Sequence, residues 1–462
     1  MRSTRNKAAL AVAGVVAIGL LTACGSSGTA ATSSDSPSAG GKVEITVVSL
    51  KPGSEKSAFD AFDQQVAQFE TANPGITVKS EEYEWTGPTF AAQLAGGTLP
   101  DVFTIPFTDG KTLIENGQLA NLDAQVQTLP YAKLFNPNVI QAGQGEDGKV
   151  YAIPYAAYGI GLQYNRTLFT QAGLDPDKPP TTWDEVRKDA KQIADKTGQA
   201  GYATMSQSNT GGWQLTVATY ARGGRVETID GTKATATLDN AGTKAALQYL
   251  KTLRWEDNSM GSNFLYDWGS INQAFAAGQI GMYTGGSDVY TSLRTSNAIN
   301  PGDYGLTVLP LEGKDAGVLG GGTLAAVNAK ASEAVKDAAV KWIDFYYMQK
   351  LTNQDAAVLD AKTLSEADQP VGTPSLPIFD KATYDTSLTW IKDYINIPTT
   401  QVATFNDKIF DQPLVAEPGR STQELYAALD TVVQAVLTDQ NADIDALLKQ
   451  ANTDVQALLD KG

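Results

Sequence analysis

The 462-residue sequence contains no histidine. That removes the side chain that most often serves as a general base near neutral pH and the commonest zinc ligand, so Ser-His-Asp chemistry and histidine-held metal sites are excluded. There is one cysteine, Cys24, which rules out an intrachain disulfide. Cations are scarce: 35 Lys and Arg stand against 51 Asp and Glu, a formal charge of -16. A phosphate backbone needs a clustered cationic surface, so nucleic acid is not an expected partner. No Gly-x-x-x-x-Gly-Lys-Ser/Thr loop occurs, and no nucleotide or other cofactor is expected. Beyond the first 23 residues no run is long and apolar enough to span a bilayer, which takes about 20 residues.

What is present begins with Arg2, Arg5 and Lys7, followed by a charge-free apolar run from Ala8 to Ala23. This is the layout of a signal peptide over residues 1–23. Its end, Leu21-Thr22-Ala23-Cys24, resembles a bacterial lipobox, which implies that the Cys24 thiol is acylated and becomes the new N-terminus. Cleavage there removes three cations and no acids, taking -16 to -19. Residues 24–41 are almost all Gly, Ser, Ala and Thr, too poor in apolar groups to fold, and read as a flexible tether.

From Lys42 onward the hydrophobic period alternates between two kinds. Val43, Ile45 and Val47 repeat as in a half-buried strand; Phe59, Phe62, Val66 and Phe69 repeat as on a helix; Asn73-Pro74-Gly75 ends that helix. Further strands are expected at Ile76–Val78 and Asp101–Ile105, with a helix over Thr89–Leu94 between them. The pattern specifies an α/β sheet with helices packed on it. Residues 149–165 and 320–327 read as two extended crossings between lobes. Thr182 with Glu185, and Ser421 with Glu424, read as capping boxes opening helices. The tail is expected to be mainly helical, with Leu425, Leu429, Val432, Val436 and Leu437 on one apolar face.

Four separated segments resemble, in order, the family 1 extracellular solute-binding proteins of ABC importers, whose best-known members bind maltose and other oligosaccharides. They are Leu99-Pro100-Asp101-Val102 with Gly117-Gln118-Leu119; Gly148 through Tyr164-Asn165 to Thr182-Trp183-Asp184-Glu185; Phe275 to Met282; and Gly320-Gly321-Gly322 with Ala326-Val327. The resemblance implies a two-lobed periplasmic-binding-protein-like fold that closes on a hinge around its ligand. One lobe would comprise residues 42–155 with 324–371, the other 156–323 with 372–462. It also implies a lipid-anchored, monomeric carbohydrate binder on the outer face of a bacterial membrane, with importer permease subunits as partners and no catalytic activity. A polyamine or peptide solute, or a secreted glycoside hydrolase, are the alternatives.

A sugar presents C–H faces and a rim of hydroxyls, so its site needs flat rings and fixed polar groups. Trp85, Trp213 and Trp268 follow polar or glycine-rich turns, where each ring either faces a cleft or anchors packing. Trp342 and Trp183 read as structural, and Trp255 and Trp390 sit in helical patterns. Tyr155 and Tyr158 lie on the first crossing, which floors the cleft in the resembled family. Asp109 falls in the loop where maltose-binding relatives place a ligand-contacting acid, or is a solvated turn residue beside Gly110. Gly285-Gly286-Ser287-Asp288 replaces a Gly-Trp of many sugar-binding relatives, and Asp288 either bonds the ligand or caps the next helix.

Overall fold

The computed structural model describes residues 42–53, 56–83, 85, 87–230 and 233–461. The leader, Cys24 and the tether lie outside the described residues. Alternation places Ile45 and Val47 of β1 (Val43–Val48) fully inside, where the helix Lys56–Ala72 covers them with Phe62 and Phe69. Trp342, from the helix Glu333–Ile343, meets both phenylalanine rings edge-on at 5.9 and 5.2 Å. β2 (Ile76–Glu81) and β3 (Val102–Pro106) run parallel to β1 on either side.

The first expected crossing is β4 (Ala152–Asn165), a single strand of 14 residues. The remaining strands are β5 (Ala200–Tyr202), β6 (Glu227–Asp230), β7 (Lys233–Ala236), β8 (Ile280–Gly286), β9 (Tyr304–Val308), β10 (Val318–Val327) and β11 (Leu414–Ala416). The sheet has the order β2-β1-β3-β10-β4-β8-β5, with β11 on β10 and β9 on β4; β6 and β7 pair apart from it. β4 changes partner along its length: Ala152 to Gly159 pair with β10, and from Ile160 onward the partners are β8 and β9. β10, the second crossing, pairs antiparallel with both β3 and β4.

The helix Trp183–Thr197 opens on a reciprocal capping box between Thr182 and Glu185, as expected. The one expected at Ser421 does not form. Ser421 sits in the left-handed region at φ 44° and makes no side-chain cap, although the helix Thr422–Thr438 starts beside it and buries all five expected apolar residues. The preceding segment is tied down instead: Arg420 pairs with Glu115, its amide donates to Glu227, and Thr422 donates to the Pro418 carbonyl. Those contacts set the backbone before the cap can. No helix among the described residues is long and apolar enough to cross a membrane.

Candidate functional site

Trp213 stands at the start of the helix Thr210–Tyr220. Asp430, from the helix Thr422–Thr438, accepts from the Asn209 and Gly212 amides at 2.7 and 2.8 Å, satisfying N–H groups that a helix start leaves open. The approach is so close that a Cβ on Gly212 would lie 2.1 Å from the Tyr426 carbonyl oxygen, so only glycine fits. Ser208 and Asn209, just before the helix, both adopt positive φ, at 59° and 69°. The ring of Trp213 is thereby fixed between Tyr158 and Trp268, with centroids 6.4 and 6.1 Å away in edge-to-face geometry. Its indole N–H donates to Glu417 at 3.0 Å.

Tyr158 comes from β4 and also points its hydroxyl at Glu417, at 3.4 Å. It has room because its neighbour on β10 is Gly321, where a Cβ would meet the hydroxyl at 2.4 Å. Trp268 opens the helix Trp268–Ala276 behind a capping box of Asp267 and Ser270, and stays 37% exposed. Asp288 precedes the helix Val289–Thr295, makes no side-chain cap to it and is among the residues lining the chamber. The strand before it is held by fully buried Gln163, whose amide donates to the Gly285 and Gly286 carbonyls while its oxygen accepts from Tyr304 at 2.7 Å.

Five of the seven candidate residues, Trp85, Tyr158, Trp213, Trp268 and Asp288, line one chamber of about 350 Å³, together with Glu417, Tyr426 and Thr108. The other two stand beside it. Tyr155 stacks on Tyr347 at 4.2 Å and lines an adjoining chamber of about 320 Å³ that shares Tyr158 and Asp288. Asp109 accepts from the neighbouring Thr108 hydroxyl at 3.2 Å. It is not in a loop: the helix Phe107–Glu115 has already begun there. Gly110 beside it makes a close contact, since a Cβ would lie 2.4 Å from the Ala142 carbonyl oxygen.

Glu417 was not among the sequence candidates. It follows β11, and the only local cue is an apolar triplet, Leu414-Val415-Ala416, ended by Glu-Pro-Gly. Burial pushes its carboxyl up to about 7; the negative charge of Asp109 adds to the shift, and the Trp213 and Tyr158 donors oppose it. Burial likewise pushes Asp109 up to about 6 and Glu227 up to about 7. Trp85 faces Asp109 and opposes its shift, yet its buried indole nitrogen closes no hydrogen bond. Asp288 reaches solvent in the chamber, but the surrounding protein still raises it above the ordinary carboxylate range.

A carboxyl raised on folding binds protons that the unfolded chain has already released, so stability falls as pH rises through the window between the two values. For Glu417 and Glu227 that window runs from about 4.3 to 7, and for Asp109 from about 3.9 to 6. The ligand-free protein is expected to melt several degrees higher at pH 5.5 than at pH 8. Glu417→Gln is expected to shrink that difference; a melt that rises with pH across the same range would contradict the assignment.

Of the described residues, no group of three or more His, Cys, Asp or Glu side chains is arranged to hold a metal ion. The lining of the main chamber includes no Lys or Arg. The arrangement is a ringed, acid-bearing cleft suited to holding a solute.

Comparison with known proteins bears on the fold and the family. A cyclic α-maltosyl-1,6-maltose binding protein from Arthrobacter globiformis superposes with a TM-score of 0.69 at 24% identity, over 91% of this chain and all of that one. The glycerophosphocholine complex of UgpB from Mycobacterium tuberculosis gives 0.69 at 21% identity, over 91% and 99%. Both show the two-lobed α/β binding-protein fold. A binding protein of Brucella abortus is 25% identical over 251 residues, 52% of this chain; the match spans only 57% of that protein's length. The family model described as bacterial extracellular solute-binding protein matches residues 64–364, well over half the sequence. With the fold and the match in agreement, the chain belongs to the bacterial extracellular solute-binding proteins, which bind solutes and do not transform them.

Proposed function

We propose that the protein captures a sugar or oligosaccharide in the chamber between its lobes and delivers it to the permease of an ABC importer. The observation that carries this reading is the row Tyr158–Trp213–Trp268, backed by Glu417 and Asp288 and free of any lining cation. Ring faces suit the C–H faces of a pyranose, and carboxylates are strong acceptors for neutral hydroxyls. The Arthrobacter relative, a binder of a cyclic maltosaccharide by name, lends support. The same rings and acids also suit an ammonium group, so an amine-bearing solute is the second reading. The lobes would be residues 42–155 with 324–371 and 156–323 with 372–462, the protein acting as a monomer.

A thermal-shift screen of mono- and oligosaccharides, polyamines and choline esters decides between the two. A solute held only by the native state stabilises it by about 2.7 kcal/mol at a hundredfold excess over Kd. At least one carbohydrate is expected to give a saturating shift. Shifts from amines alone would move the assignment to the second reading.

The leader and Cys24 support attachment to the outer face of the cell membrane by lipid. Since one thiol would carry the only acyl anchor, Cys24→Ser is expected to release the protein into the medium. Equal membrane retention of the variant would refute the anchor.

A further inference from the structure

Residues 417–421 join β11 to the helix Thr422–Thr438 and meet two different parts of the molecule. At one end Glu417 faces the main chamber and accepts from Trp213 and Tyr158. Three residues on, the Arg420 guanidinium pairs with Glu115, and the Gly419 carbonyl accepts from the Thr112 hydroxyl at 3.2 Å. Both of those partners lie on the helix Phe107–Glu115. Little slack separates the two ends. The ring of buried Pro418 fixes its φ, its carbonyl accepts from the Thr422 hydroxyl at 2.6 Å, and the Arg420 amide donates to Glu227 at 3.4 Å. A displacement of Glu417 is therefore passed on to Arg420 instead of being absorbed between them.

The helix so held belongs to the opposite lobe in the division proposed above. It follows β3, which pairs with the last residues of β10, Thr323 to Val327, whereas β11 pairs with the first, Val318 to Gly320. Between those stretches the register of β10 on β4 shifts: Thr323 faces Ala156 and Leu324 faces Pro154, which leaves Tyr155 without a partner. An extra residue of this kind bends a strand locally. The contacts of Thr112 and Glu115 thus tie together regions on either side of that bend. Glu115 has no place in the logic of its own helix, since as the last residue it stands where the dipole disfavours an anion. Its carboxyl is accounted for by Arg420, whose side chain is only 17% exposed. Thr112, Glu115 and Arg420 line neither the main chamber nor the one beside Tyr155.

We infer that residues 417–421 are an interlobe clasp: one short, stiff segment makes both the solute contact at Glu417 and the Arg420–Glu115 tie, so this pair, remote from the solute, sets the balance between open and closed lobes. This rests on the division into lobes proposed above. In the Cys24→Ser chain, which has no other thiol, spin labels at Gln64→Cys and Lys188→Cys, both exposed and in opposite lobes, read the interlobe distance by pulsed dipolar spectroscopy. Glu115→Gln and Arg420→Gln are each expected to raise the population at longer distance about fivefold. The double variant is expected to raise it by that same factor and not by the product, because either change alone already breaks the tie. A second pair, Gln64→Cys with Lys362→Cys, lies within one lobe and is expected to keep its distance in every variant. An interlobe distance unchanged in all three variants, or single effects that multiply in the double, would overturn the clasp and leave the lobes standing. If the distance within the lobe moves as well, the division and the clasp fall together.

Discussion

Trp213→Ala is expected to weaken solute binding by about 30- to 100-fold, or 2–3 kcal/mol. Two losses combine. The ring is the middle member of the aromatic row and removes stacking area from both sides of the chamber. Its indole N–H is also the shortest hydrogen bond to Glu417, and a carboxyl that loses a donor in a partly buried site becomes harder to ionise and less well oriented. Trp213→Phe, which keeps a ring but no donor, is expected to recover part of the affinity. Titration calorimetry reads both. An unchanged Kd in the alanine variant would remove Trp213 from the site.

Trp342→Ala is expected to have the opposite signature: a loss of about 3–5 kcal/mol in chemical unfolding, with Kd little changed. Trp342 has no exposed surface and packs against Phe62, Phe69, Phe345 and Tyr346, stacking on the last at 5.1 Å. Removing it opens a cavity that a close-packed interior cannot fill. A variant that unfolds normally but binds poorly would mean that the two tryptophans had been sorted wrongly.

That sorting was legible in the sequence because it depends on local pattern. Trp342 lies within a helical apolar period, whereas Trp213 and Trp268 follow polar or glycine-rich turns, and the structure puts the first in the core and the other two in the cleft. Both crossings were legible for the same reason, as extended apolar runs. Glu417 was not, because what places it in the chamber wall is contact with Trp213, 204 residues away, and no local period encodes that. Asp430, which seats the helix carrying Trp213 from 218 residues downstream, was hidden likewise. The missing cap at Ser421 shows the converse. There the local pattern was good, and distant contacts of Arg420 with Glu115 and Glu227, beside a local bond from Thr422 to the Pro418 carbonyl, overrode it.

β4 has a consequence for what any affinity measurement means. Tyr158 sits one residue before the point where the strand changes partner, Gly159 pairing with Gly320 on β10 and Ile160 with Gly286 on β8. A solute that pulls on Tyr158 and on Asp288 therefore loads both sets of ladder hydrogen bonds at once. If the binding-competent arrangement of the two halves is a minor population, the observed Kd is the intrinsic one divided by that fraction. Substitutions at Gly159 and Gly161, which line neither the main chamber nor the one beside Tyr155, would then tune affinity by changing how often the molecule occupies the arrangement that can hold it.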